Sequence, residues 1–328
     1  MTGCRPLNAA ARRSVLFEHG LSGRLWPIHC NPYDDETLSS WLSRLSRAYG
    51  ANPIHFYIQA LPHFNVWRRD VDKGTNNDLL LALAAKTSTP YKRVLGTTIR
   101  GYLGYLREDL TGRPRSPWLL PVGLRTSTRC QPWLQYCPQC LQADTDPYFR
   151  RCWRLAFVTI CTKHKRLLLD RCESCHAVIN FQCLPGDTET ITQCYHCRDD
   201  LRFAQAPPIG KSVEYDHLAQ FQTFLLSAMR RGQSRLWGMS AIQGAAFLKD
   251  VYKCMTFFLS TMHAPAFRDA FGEYLQPSFF DSHLTLTRQR SFERLGVEDR
   301  QAFMVFISWW YNQQFQRWIM PDSEIEIR

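Results

Sequence analysis

Four short pairs between residues 137 and 197 decide how the chain is read: Cys137-Pro-Gln-Cys140, Cys161-Thr-Lys-His164, Cys172-Glu-Ser-Cys175 and Cys194-Tyr-His-Cys197. In each, two metal-ligating side chains stand two residues apart, and two such pairs complete one tetrahedral shell. Eight ligands therefore define two sites. Their order favours two successive ribbons, with Cys137, Cys140, Cys161 and His164 on one ion and Cys172, Cys175, Cys194 and Cys197 on the other. A cross-braced pairing is the alternative. The interval inside each proposed site, about 20 residues, is close to that of a zinc ribbon. A histidine among the ligands and a closed, sulfur-rich shell select zinc over an iron–sulfur cluster, so two Zn2+ are expected. Neither shell keeps the open position that activates water, so the expected role is structural. Binding worth on the order of 10–16 kcal/mol would replace the core that so short a segment lacks.

The six cysteines outside these pairs, Cys4, Cys30, Cys130, Cys152, Cys183 and Cys254, read as reduced thiols, which places the chain in a reducing, cytoplasmic compartment. No apolar run is long enough to span a membrane, and the first twenty residues hold arginines without an apolar signal core. The 328 residues carry a net charge of +11, unevenly spread. Residues 1–131 hold 18 Lys and Arg against 9 Asp and Glu, while residues 132–205 hold 9 against 8 and residues 206–328 hold 13 against 12. A basic excess confined to the N-terminal part suits DNA or RNA contact, because phosphate pairing with counterion release supplies affinity without sequence reading. A solvated basic surface is the plainer reading.

Upstream of the metal block, Asp34 and Asp35 offer caps to a helix whose apolar residues, Leu38, Trp41, Leu42, Leu45 and Tyr49, form one stripe ended by Gly50. The other face carries Ser39, Ser43, Arg44 and Arg47, to be read either as solvated or as a partner-binding surface. Asp78 to Ala85 forms another helix, residues 86–89 a turn, and Pro90 opens a second helix. This is the outline of a helix-turn-helix, with Lys92, Arg93 and Arg100 placed for nucleic-acid or partner contact. Many helical hairpins share the outline. Within the metal block, Tyr148, Phe149 and Trp153 are expected to pack the knuckles onto neighbouring helices rather than to stack on bases. Beyond Pro207-Pro208 the chain reads as helical. One stripe is Leu218, Phe221, Leu225 and Ala228, a capping box at Ser240 and Gln243 precedes a second helix, and a last helix spans about 297–318.

The expected fold is mainly α, with a basic leader (1–24), an N-terminal helix-turn-helix-like domain (25–110), a linker (111–131), a double zinc-binding module (132–205) and a C-terminal helical domain (206–328).

Two ordered signatures carry a resemblance. Pro32-Tyr-Asp-Asp-Glu36 followed by Leu38-Ser-Ser-Trp41-Leu42-Ser-Arg44-Leu45 resembles the N-terminal signature of TniQ proteins from transposons regulated by an AAA+ ATPase. Cys137-Pro-x-Cys140, Asp146-Pro-Tyr-Phe-Arg150, Trp153-Arg154-Leu155, Cys161-x-x-His164, Leu168 and Cys172-x-x-Cys175 resemble the zinc region of the same family, in the same order. The resemblance implies a non-enzymatic targeting adaptor, often dimeric, that joins target recognition to the AAA+ regulator. Some relatives read DNA directly and others ride on an RNA-guided CRISPR complex. The family's zinc ligands carry over onto all eight positions named above, and its helix-turn-helix carries over loosely onto residues 77–100. The modest length favours an RNA-guided partner, with a direct sequence-specific DNA binder as the alternative. A nuclease or transposase would need clustered carboxylates for metal-assisted phosphoryl chemistry, which the sequence does not display.

Overall fold

The computed structural model describes residues 25–74, 76–102, 117–122, 132–209, 213–231, 233–234, 242–261 and 291–319. The described chain is mainly helical, as expected, and divides into two compact units. The described residues of the first fall within Met1–Arg107, Leu120–Leu155 and Leu168–Ala206, and those of the second within Glu108–Leu119, Ala156–Leu167 and Pro207–Arg328. The leader, most of the linker, the capping residue Ser240 and the C-terminal tail lie outside the described residues.

In the first unit, helix α1 (Leu38–Ala48) is followed by α2 (Pro53–Ala60), a short 3-10 turn (Val71–Lys73), α3 (Asn77–Thr87) and α4 (Tyr91–Gly96). The apolar stripe of α1 is buried as its spacing requires: Leu38, Trp41, Leu42 and Leu45 have no exposed surface and pack with Trp26, Phe56, Tyr57, Leu80, Leu83 and Val94. Two expectations for this helix are corrected. Its N-cap is Thr37, whose side chain accepts from the Ser40 amide, while Asp35 sits at a φ of 61° and pairs with Arg151 at 3.3 Å. Its polar face is also buried apart from half-buried Arg47, because the groups there have internal partners. Ser39 donates to Asp72, Ser40 Oγ to Glu36, and Ser43 Oγ to the Ser39 carbonyl.

Helices α3 and α4 are joined by a three-residue turn in which Ser88 is left-handed at φ 51° and Pro90 caps α4. The second helix of the pair is only 6 residues long. The rest of this unit is α5 (Pro138–Ala143) and three 3-10 turns at Arg151–Arg154, Phe181–Cys183 and Leu201–Phe203. Phe149 is fully buried, edge-on to Tyr136, Trp153 and Phe181, and Tyr148 stacks on Tyr33 at 4.8 Å. The aromatic cluster therefore packs inward, as the sequence suggested.

Among its described residues the second unit holds a two-stranded antiparallel hairpin, β1 (Ile160–Cys161) with β2 (Arg166–Leu167), and the helices α6 (Val213–Arg231), α7 (Gly244–Thr261) and α8 (Val297–Ile319). A second short hairpin pairs β3 (Gln233–Ser234) with β4 (Ile242–Gln243) just before α7. Phe221 stacks on Tyr311 at 5.6 Å and Phe258 meets Phe306 edge-on at 5.0 Å, so aromatic contacts fill the helix interfaces. Gln222 on α6 reads the backbone of the first hairpin: its Oε1 accepts from the Thr159 and Ile160 amides and its Nε2 donates to the Ile160 carbonyl. No described helix is long and apolar enough to cross a membrane.

Candidate metal centres

The downstream group is built from two matching knuckles. Cys172 accepts at its carbonyl from the His176 amide at 2.9 Å, and Cys194 accepts likewise from Arg198 at 3.0 Å. Each chain then reverses, with the Cys172 amide donating to Ala177 O at 2.9 Å and the Cys194 amide to Asp199 O at 2.8 Å. The reversal places His176 at φ 57° and Arg198 at φ 70°, and Lys165 after His164 takes φ 50°. In all three knuckles the residue following the second ligand is left-handed without being glycine, a conformation costing roughly 1–2 kcal/mol per residue that is held only when the surroundings demand it.

The ligand atoms of Cys172, Cys175, Cys194 and Cys197 lie within 4.8 Å of one another, and so do those of Cys137, Cys140, Cys161 and His164. The pairing is thus sequential rather than cross-braced. Cys172 and Cys197 sulfurs are 3.5 Å apart, Cys175 and Cys194 3.6 Å, and Cys161 Sγ lies 3.5 Å from His164 Nδ1. Thiolates bound at ~2.3 Å to one tetrahedral zinc would stand about 3.8 Å apart, so the cage fits such an ion in size and donor type. Its electrostatics favour a cation as well. Burial opposes ionisation of Cys175, but hydrogen bonds from the Ala177 backbone and from Cys197 and Cys194 overcome it and draw that thiol down to about 6. Burial and the neighbouring sulfurs push Cys197 up to about 12. One thiolate can form easily beside the others, whereas four together require a divalent cation to offset their repulsion.

Within the first unit, carboxylates and arginines are matched internally. Arg44 has no exposed surface; Nη1 meets Glu36 at 2.7 Å, Nη2 meets Asp146 at 3.0 Å, and the guanidinium lies 4.3 Å from the Tyr33 ring centroid. Burial raises Glu36 to about 7, against the opposing pull of Arg44, the Tyr33 amide and the Ser40 hydroxyl. Arg150 grips Asp144 through both carboxylate oxygens at 2.8 and 3.1 Å. Arg154, also fully buried, spans Asp70 at 2.8 Å and Asp72 at 2.5 Å. These partners were not legible in the sequence, since Arg44 and Asp146 are 102 positions apart and Arg154 and Asp72 are 82.

The residues expected to contact nucleic acid or a partner fall into two groups. Arg44 is wholly internal and presents no surface, and Arg47 is half-buried, donating to the Glu189 carbonyl at 2.6 Å. Lys92, Arg93 and Arg100 are exposed; Arg93 donates to the Pro32 carbonyl at 2.9 Å and Arg100 to Asn77 Oδ1 at 2.7 Å. One of the six other cysteines departs from expectation, because Cys30 is disulfide-bonded. Cys152, Cys183 and Cys254 are not in disulfides.

The four-thiol cage and the upstream Cys3His group each offer four protein ligands, the donor set of a closed structural metal site. Residues 27–168 match the model of the TniQ family, the family that the two signatures resemble. No curated protein matches the chain. The TniQ match supports a role in selecting the target of transposition.

Proposed function

We propose that this protein is a non-enzymatic targeting adaptor that connects a target-recognition complex to the AAA+ ATPase of its transposon, with two Zn2+ holding its knuckles in place. The observation that carries the reading is the TniQ match over residues 27–168. The fate of the carboxylates supports it. Glu36, Asp70, Asp72, Asp144 and Asp146 are all taken up by arginine, which leaves them poorly suited to gather catalytic metal ions. The recognition complex in this proposal is RNA-guided, of the CRISPR type, and the adaptor acts as a homodimer in the cytoplasm.

Co-purification of the full chain with the products of its neighbouring genes, followed by mass and nucleic-acid analysis, tests the reading. Recovery of a guide RNA and the ATPase in one assembly is the expected result. The second reading, direct DNA recognition by α3 and α4, draws on the exposure of Lys92, Arg93 and Arg100. Footprinting separates the two: protection of a defined duplex site by the chain alone, with no guide or partner, selects the second reading and overturns the first.

A further inference from the structure

A cleft of about 310 Å³ opens in the first unit beside the start of α3. Its apolar lining is Leu38, Val66, Val71, Leu79 and Leu80, with Phe64 half-buried among them. Arg68 and Arg69 line it as well, both exposed and neither in an ion pair among the described residues. The carboxylate that lines the cleft, Asp70, is held by Arg154 at 2.8 and 3.1 Å and is therefore largely neutralised. Exposed Asp78, in the first turn of α3, is the acidic group nearest in sequence to the cleft's Asn76 and Leu79.

Further cations continue from the cleft. Gly74, another lining residue, is packed so tightly against Thr98 that an added Cβ would lie 2.5 Å from its methyl carbon. The Ile99 amide donates to the Asp72 carbonyl at 2.8 Å, which ties this segment to the cleft wall. Arg100 therefore stands next to the cleft, and its bond to Asn77 fixes it at the N-terminal end of α3. Lys73 precedes Gly74 and has no ion pair among the described residues. The first turn of α3 adds the partial positive charge of a helix N-terminus.

We propose that this cleft binds a nucleotide of single-stranded nucleic acid, its phosphodiester held by Arg68 and Arg69 and its base laid against Phe64 and the apolar floor. An apolar floor under an arginine rim matches the two faces of an unpaired nucleotide, whereas the bases of a duplex are stacked away from such a floor. Paired guanidinium groups suit phosphate because their planar donors reach two oxygens at once. The volume is at the lower bound for a small-ligand site, enough for one nucleotide and too small for a helical peptide. The N-terminal excess of basic residues supplies the long-range attraction. The proposal deepens the adaptor reading, since an RNA-guided complex displaces one DNA strand and carries exposed RNA.

The test uses the purified full chain alone, so its outcome does not depend on whether the ATPase or a guide complex associates. Fluorescence anisotropy with a labelled 20-nucleotide single strand and the matching duplex is measured across a salt series for wild type, Arg68→Ala/Arg69→Ala and the control Lys253→Ala. Wild type is expected to bind the single strand more tightly than the duplex. The double variant should bind about tenfold more weakly and reduce the logarithmic salt slope by about 1.4, because each phosphate of a single strand that a cation no longer neutralises lowers the slope by roughly 0.7. A second variant, Phe64→Ala, should weaken single-strand binding while leaving the salt slope in place. Unchanged affinity and slope in the double variant overturn the proposal, as does equal loss for duplex and single strand. Capture of an acidic protein partner at Arg68 and Arg69 that oligonucleotide does not displace overturns it too. If single-strand binding behaves as expected but no ATPase or guide complex co-purifies, the cleft stands and the adaptor reading fails.

Discussion

Replacing Arg154 by methionine tests the buried charge network most directly. The guanidinium has no exposed surface, contacts Asp70 and Asp72, donates to the Leu120 carbonyl at 3.1 Å and lies 4.8 Å from the Trp133 ring centroid. Asp72 is equally buried and holds the start of α1 by accepting from the Ser39 amide at 2.7 Å and its hydroxyl at 3.0 Å. Methionine fills much of the same volume, so packing loss is small and the main effect is a carboxylate left without its cation. Removing one partner of a buried pair costs about 3–5 kcal/mol. Asp72→Asn in the same background removes the stranded charge while keeping an acceptor for Ser39, and should restore about 2 kcal/mol. Urea unfolding of the full chain, followed by circular dichroism and tryptophan emission, measures both steps where the two probes coincide. A cost below about 1 kcal/mol for Arg154→Met, or no recovery in the double variant, refutes the argument that this arginine is required by the charges it buries.

Other consequences are equally accessible. Because burial raises Glu36 to about 7 from an ordinary 4.5, the contribution of this group is full below about pH 4.5 and fades as pH rises through 7. Wild type should therefore lose, relative to Glu36→Gln, on the order of 2 kcal/mol between pH 5 and pH 8, and a pH-independent difference in unfolding midpoints would contradict this. Elemental analysis should find two zinc ions per wild-type chain and one in Cys194→Ser; an undiminished metal content in the variant would remove Cys194 from the ligand set. Gly186→Ala should cost about 1–3 kcal/mol by overpacking, because its Cβ would meet the Gly50 carbonyl oxygen at 2.9 Å and the Asn52 amide nitrogen at 3.1 Å. Gly96→Ala, where an added Cβ meets nothing within 4 Å, should be neutral or slightly stabilising, and equal unfolding midpoints for the two variants would show that the close approach at Gly186 is unimportant.

What the sequence by itself determined was whatever depends on near neighbours. The two-residue gap in each Cys/His pair fixes a knuckle, because both ligands must reach one ion from the same turn of backbone. Eight ligands in four pairs then imply two sites, but the choice between sequential and cross-braced pairing waited for the structure, which gathers each group within 4.8 Å. The 3.6-residue stripe from Leu38 to Leu45 likewise determined which side of α1 enters the core. Even the order of the two TniQ signatures is a one-dimensional property, legible without a fold.

Only the tertiary structure decided the fate of the charges. Arg44 lies on the polar face of α1, and nothing within four positions of it supplies a carboxylate; its partners are Glu36, eight residues before it, and Asp146, 102 positions after it. Arg154 finds Asp72 across 82 positions, and the serine face of α1 meets Asp72 across 33. Arg68 and Arg69, by contrast, meet no carboxylate among the described residues and remain at a cleft. A local pattern records that a side chain is cationic, but whether it is internal or available to a ligand depends on which distant carboxylate the fold carries to it. The physical reason is that the cost of burying a charge is offset only by an opposite charge at hydrogen-bonding distance, and that distance is set by the path of the whole chain.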